Sequence, residues 1–176
     1  MRLERANAPL RSARLLLRPL RQGHAAALFE LLADPALYTW IDHGPPASLQ
    51  RLQDVYRQLE ERRSPDGQEL WLNWVLFDGE APLGYVQASV LADGRAWVAY
   101  VLGRAAWGRG YAAEAVAVML QHLAGTLGVR QAMAMVEQDN ARSIALLRRL
   151  GFQRGQGKAL HGHTLTATEQ LWLRAP

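Results

Sequence analysis

Gly108-Arg109-Gly110 is the shortest stretch of this chain with an evident chemical use. Glycine carries no Cβ, so the backbone there can turn tightly and approach a ligand closely. The apolar-faced run that follows, residues 112–127, predicts a helix. The first amides of such a helix have no intrahelical acceptor, and with the positive end of the helix dipole they favour a phosphate. Arg109 adds a mobile positive charge beside them. Three readings stand on these residues alone: an empty strand-to-helix turn, a dinucleotide site, or a phosphate cradle of another kind. Residues 108–113 match G-x-G-x-x-A literally, and Glu137 and Asp139 follow within about thirty residues. Position argues against the dinucleotide reading. An antiparallel meander precedes the glycines, and too little chain follows for a doubly wound sheet.

A second constellation is Glu137, Asn140 and Ser143. Asn140 stands where a helix N-cap belongs, and Ser143, one turn on, could bond a backbone carbonyl. His161 and His163 are spaced to share one face of a strand, and histidine titrates near neutrality. Trp40 and His43 lie in a loop, residues 38–49, broken by Gly44-Pro45-Pro46. The chain has no cysteine, which excludes disulfides, thiolate catalysis and zinc–thiolate sites. No metal site is expected.

Elements to hold these groups can be read in order. Residues 13–19 have the composition of a first strand stopped by Pro19. Helices are expected over 21–33 and, capped by Ser48, over 49–59. Three strands follow, 70–77, 83–91 and 97–102, with Asp78-Gly79 and Asp93-Gly94 as hairpin turns. After the glycine loop come helix 112–127 with Gly128 as its stop, strand 131–137, helix 141–150 ending at Gly151, and a final hairpin over 152–173. Trp71, Trp74 and Trp97 fall on strands and read as core or half-buried sheet residues. Glu114 reads as a structural charge in the first turn of its helix.

At 176 residues, with no repeat or linker, the chain reads as one α+β domain spanning 1–176. No apolar run approaches the ~20 residues of a membrane span. The arginine-rich start could pass for a transit peptide, but its strand pattern is the better reading, and a cytoplasmic location is expected. The net charge of +4 comes without any dense basic stretch interleaved with aromatics, so a nucleic-acid-binding module is disfavoured.

Trp107-Gly108-Arg109-Gly110-Tyr111-Ala112 resembles the acetyl-CoA loop of the GCN5-related N-acetyltransferase (GNAT) superfamily, Gln/Arg-x-x-Gly-x-Gly/Ala, with Trp107 in place of the usual polar residue. Asn140-Ala141-Arg142-Ser143 leading to Leu150-Gly151-Phe152, and the opening Arg14-Leu15-Leu16-Leu17-Arg18-Pro19, resemble the branch that acetylates N-termini of ribosomal proteins. The resemblance covers about residues 12–173. It implies a mixed central sheet, an antiparallel meander with a splayed parallel pair in the middle, flanked by about four helices.

It also implies an N-acetyltransferase that passes an acetyl group from acetyl-CoA to a primary amine by direct attack. Backbone groups of Tyr100, Val101 and Leu102 would hold the pantetheine arm. The stretch Gly108, Arg109, Gly110, Tyr111, Ala112 and Ala113 would hold the pyrophosphate, with Asn140 orienting the arm or a water. Many members use a tyrosine acid at the position of Leu147; here the resemblance suggests Ser143. Glu137 is the candidate base, and Trp40, His43 and Glu137 would border the acceptor. The alternative is an acyl-CoA-binding or ribosome-associated protein of the same fold without turnover. The sequence leaves the acceptor, the base and a homodimer through the late strands open.

Overall fold

Asp78-Gly79 and Asp93-Gly94 reverse the chain twice, each glycine at φ +82, and so set up the centre of the molecule. They join β3 (Glu69–Phe77), β4 (Pro82–Leu91) and β5 (Arg95–Leu102) into an antiparallel meander. The computed structural model describes residues 3–156, 159–160 and 163–175. On one side the meander is extended by β2 (Leu16–Pro19), which pairs with β3, and by the short β1 (Leu10–Arg11). On the other side β5 pairs in parallel with β6 (Gln131–Glu137). Beyond β6 lies β10 (Glu169–Arg174), then β7 (Gln153–Arg154), both pairings antiparallel. The sheet order is β1-β2-β3-β4-β5-β6-β10-β7. β8 (Ala159–Leu160) and β9 (His163–Thr164) form a separate two-stranded ladder.

The expected closing hairpin over 152–173 is therefore a pairing of β7 with β10 across a long connection that carries its own small ladder. The five described α-helices exceed the four expected. They are α1 (Leu3–Ala6), α2 (Ala25–Leu32), α3 (Leu49–Glu60), α4 (Tyr111–Leu127) and α5 (Ala141–Arg149). The unforeseen one is α1, a single turn too short to show a periodicity. Likewise 13–19 is not one strand: Ser12 and residues 13–15 turn the chain between β1 and β2, and the Ser12 amide donates to the Leu15 carbonyl.

Two apolar layers sandwich the sheet. The α4 face, Ala115, Val116, Met119, Leu120 and Leu123, packs on Trp74, Val86, Val98 and their neighbours. The opposite face receives α2 and α3 through Leu28, Leu32, Leu52 and Tyr56 on Val75 and Phe77. Period-2 alternation in β4 feeds both layers, as a sheet covered on both faces requires. Trp74 and Trp97 are buried and Trp71 half-buried, as their strand positions imply. Ser48 caps α3 by accepting from the Arg51 amide, and Gly128 ends α4 in the left-handed conformation. Among the described residues, no helix is long and apolar enough to cross a membrane.

Candidate active site

β5 and β6 are paired over three residues only, Arg95↔Gln131, Ala96↔Ala132 and Trp97↔Met133. Beyond that point β5 stays on β4 as far as Leu102, while β6 stays on β10 as far as Glu137. The two strands part. In an antiparallel ladder alternate residues turn their N–H and C=O to opposite sides. Residues 98–102 and 134–137 thus offer backbone groups into the space between them. Gly84 helps to open it. It sits at φ +141 opposite Leu102, and a Cβ there would overlap the Val101 carbonyl oxygen. Only glycine lets β5 lie so tightly on β4 at the end where it leaves β6. A cavity of about 1120 Å3 fills the opening and runs from Trp40 and His43 past β5 and β6 to the glycine loop and the start of α5.

The glycine loop ends with Gly108 at φ +73 and Gly110 at φ +81, the latter at the N-cap of α4 with no side-chain cap. The first amides of a 17-residue helix are left for another acceptor. Trp107 explains its departure from the polar residue of the resembled pattern. Its Nε1 donates to the Leu102 carbonyl at 2.7 Å, and the Arg142 guanidinium stacks on its ring at 4.1 Å. That bond ties the loop to the end of β5, at a residue that itself lines the cleft.

The Arg109 side chain turns onto its neighbour. Its guanidinium lies 4.8 Å over the Tyr111 ring, and Arg109 is not among the residues lining the cleft. The Tyr111 residue lines the cleft while its side chain braces the loop. The ring is buried between Arg14 and Arg109, and its hydroxyl donates to Asp78 in the β3–β4 turn.

Sequence reasoning missed the residue that fixes this loop, Arg14. Its Nη1 donates to the Arg109 carbonyl at 3.0 Å, and its Nε donates to Glu114 at 2.7 Å. Glu114 also accepts from the Arg14 amide at 2.8 Å and the Ser12 hydroxyl at 2.6 Å. Burial works against the Glu114 carboxylate, but these donors outweigh it and hold its pKa below the usual value. A hundred residues separate the partners, so nothing local in the sequence announces the contact.

At the far wall Asn140 caps α5, its Oδ1 accepting from the Ser143 amide at 3.1 Å. Asn140, Ser143 and Glu137 all line the cleft. Leu147, in the position of the missing tyrosine, is fully buried. The phenol present instead is Tyr100. Its hydroxyl is buried without a hydrogen-bond partner, and the Ser143 side chain approaches it without closing a bond. Burial pushes the Tyr100 pKa up, and Ser143 pulls it partly back. Glu137 stands opposite Glu169 in the β6–β10 ladder, and both line the cleft, with the Glu169 Oε2 accepting from the Thr166 amide. The sequence reading overlooked Glu169.

His161 lies outside the described residues. The His163 ring meets Trp97 edge-on at 4.8 Å and is not part of the cleft wall. Trp40, 45% exposed, and His43, whose ring packs on Tyr38 at 5.5 Å, line the opposite end. No cluster of potential metal ligands occurs among the described residues.

A strand-wide slot of unpaired backbone that runs to an uncapped helix start suits an extended ligand with a pyrophosphate. Residues 14–153 match the Acetyltransferase (GNAT) domain family. The chain belongs to the GNAT acetyltransferase family. Members draw their acyl group from acetyl-CoA, and the slot and helix start of this chain fit that donor. An uncharacterized N-acetyltransferase, p20, of Bacillus licheniformis is 28% identical over 147 residues, 82% of each chain. Among solved structures, RimL, a ribosomal L7/L12 alpha-N-protein acetyltransferase in complex with coenzyme A, superposes with a TM-score of 0.80 at 20% identity. It covers 96% of this chain and 98% of its own. An acetyltransferase from Salmonella typhimurium that modifies the N-terminal serine of L7/L12 gives 0.80 at 18% identity, over 96% and 99%.

Proposed function

We propose that this acetyltransferase moves an acetyl group from acetyl-CoA to a primary amine, by direct attack within a ternary complex. The observation that carries the reading is the parting of β5 from β6 directly ahead of the uncapped start of α4. Free backbone around Tyr100 and Val101 receives the pantetheine arm as an added strand. The amides of residues 108–113 receive the pyrophosphate, so the contributions of Arg109 and Tyr111 are main-chain ones. Bound acetyl-CoA supplies a thioester whose carbonyl carbon accepts the amine. With no cysteine in the chain, no thiol acyl-enzyme precedes that attack.

One C–N bond forms and one C–S bond breaks, so one proton must leave nitrogen and one must reach sulfur. Glu137, at the cleft end of β6, takes the amine proton directly or through water. Ser143 supplies the proton at sulfur, positioned by the cap that Asn140 forms and with the Tyr100 hydroxyl beside it. Trp40 and His43 border the entering amine. The RimL-type neighbours support a peptide N-terminus as one acceptor class, and a small-molecule amine is the other.

The test is thiol release from acetyl-CoA across a panel of peptides and small amines, with the acetylated product identified by mass. Ser143→Ala should lower kcat while CoA affinity stays within about twofold. CoA binding without release on any amine would overturn the transfer reading. Full turnover in Ser143→Ala would remove Ser143 from the proton path.

A further inference from the structure

A second cavity, of about 290 Å3, adjoins the cleft, and Tyr85, Gln87 and His43 line both. It lies between the sheet face and helices α2 and α3, with buried Leu20, Leu32 and Leu52 in its walls. Three phenols meet there, Tyr38, Tyr56 and Tyr85. The Tyr38 hydroxyl is already used, donating to the Leu32 carbonyl at 2.8 Å. Tyr56 is only 3% exposed, and its hydroxyl has no hydrogen-bond partner. An unsatisfied buried hydroxyl is a standing cost that a ligand oxygen would remove. Burial first, then the neighbouring phenols, raises the pKa of Tyr56, and Tyr85 is likewise pushed up to about 12. Both therefore remain O–H donors at any physiological pH.

Charge divides the two cavities. Asp42, Glu137, Asp139 and Glu169 line the cleft together with Arg104, Arg142 and Arg149, and Glu137 and Glu169 stand opposite each other on β6 and β10. Among the described lining residues of the second cavity there is no carboxylate. Its polar wall is neutral: Asn73 and Gln87, directly paired across β3 and β4, sit beside the phenols. Arg51, exposed at the start of α3, carries the one full charge of that lining, His43 aside. An ammonium is thus favoured beside the Glu137–Glu169 pair and disfavoured in the second cavity, where it would be desolvated without an anionic partner.

We propose that the second cavity receives the tail of the acceptor. The acceptor is then a primary amine whose substituent is one compact, uncharged aromatic or branched group bearing a hydrogen-bond-accepting oxygen, which Tyr56 binds. At ~30 Å3 per water-sized group the cavity holds roughly ten non-hydrogen atoms, the size of a substituted phenyl ring. Polyamines, with a second cation in the tail, are excluded. The inference rests on the amine-acetylating reading above and adds the substrate class. A small molecule or the first residue of a peptide can carry the same chemistry.

Tyramine, phenethylamine, spermidine and a peptide beginning with tyrosine separate these cases in the thiol-release assay, on the full chain and on Tyr56→Phe. The variant keeps the ring and removes only the hydroxyl. The expected result is tyramine above phenethylamine by roughly 3–10-fold in kcat/KM, with spermidine lowest. In Tyr56→Phe the tyramine advantage disappears through KM, while phenethylamine stays within about twofold. A faster peptide than tyramine assigns the tail to a first residue, and the reverse assigns it to a free amine. Preference for spermidine, or an equal loss for both aromatic amines in Tyr56→Phe, overturns the proposal while leaving amine acetylation standing.

If no amine releases thiol, amine acetylation fails instead, and calorimetric binding of tyramine to the CoA complex decides the pocket. Binding weakened by Tyr56→Phe sustains it, and no binding overturns it.

Discussion

Replacing Gly108 by aspartate, with asparagine as its neutral twin, isolates the electrostatic half of the cradle. Gly108 has φ +73, a region that Asn and Asp tolerate better than other side chains, at a backbone cost of about 1 kcal/mol common to both. A Cβ there meets nothing within 4 Å, so neither variant clashes inside the protein, yet the residue lines the cleft. The difference between the two is one negative charge. At about 5 Å from a phosphate charge and an effective dielectric of about 20, the repulsion is roughly 3 kcal/mol. That corresponds to more than a hundredfold in Kd.

Calorimetric titration of CoA into each variant reads the difference, and matched thermal melts show that both are folded. The gap should narrow at high salt, since part of the repulsion is screened. Gly108→Asp binding CoA within about threefold of Gly108→Asn would refute the placement of a pyrophosphate on these amides. Gly110 extends the logic. Its Cβ would point 3.5 Å from Arg14 Nη2, a guanidinium already paired with Glu114 at 2.7 Å, so an aspartate at 110 adds a net negative charge beside the same amides and should also weaken CoA.

Asn140→Ala removes the cap of α5 and should cost about 1 kcal/mol, a Tm loss of about 2–4 °C in a chain of this size, measurable by thermal melt. Glu114→Gln keeps the shape but weakens the bonds from Ser12 and Arg14. We expect a loss of about 1–2 kcal/mol in the same melt, with CoA affinity falling as the loop loosens. His24 is held below its usual pKa by burial first and then by Arg18 and Arg21, against Glu60, and its Nδ1 accepts from the Arg21 amide. Its contribution is present above pH about 6.5 and is lost as pH falls toward the lowered folded value. The melting temperature should drop between pH 7 and 5, and His24→Gln should flatten that drop.

Local signals made most of the frame legible. Asp-Gly turns placed the meander, Ser48 declared the start of α3, the pair Asp139-Asn140 marked that of α5, where Asn140 is the cap, and Gly128 marked the end of α4. The stretch 131–137 matched β6 to the residue. What escaped was created by distance in the chain. Arg14 meets Glu114 across a hundred residues, and β10 slots between β6 and β7 without any pattern that names its neighbours. Side-chain direction escaped too. Nothing in the spacing of Arg109 and Tyr111 shows that the guanidinium lies over the phenol ring instead of along the cleft wall. The Tyr56 pocket is a tertiary product, assembled from α2, α3, two strands and the loops between them.

The three-residue joint between β5 and β6 makes the sheet two cooperative leaves rather than one. Strands β1 to β5 form one leaf, and β6, β10 and β7 the other. On the proposed reading a donor in the slot would bond along its inner edges and would act as the missing strand of a continuous sheet. Amides along 98–102 and 134–137 that face the slot should exchange hydrogen through small local openings when it is empty. With the slot filled they should exchange only when the leaves unfold together. Donor occupancy would then set how much of this molecule unfolds as a unit.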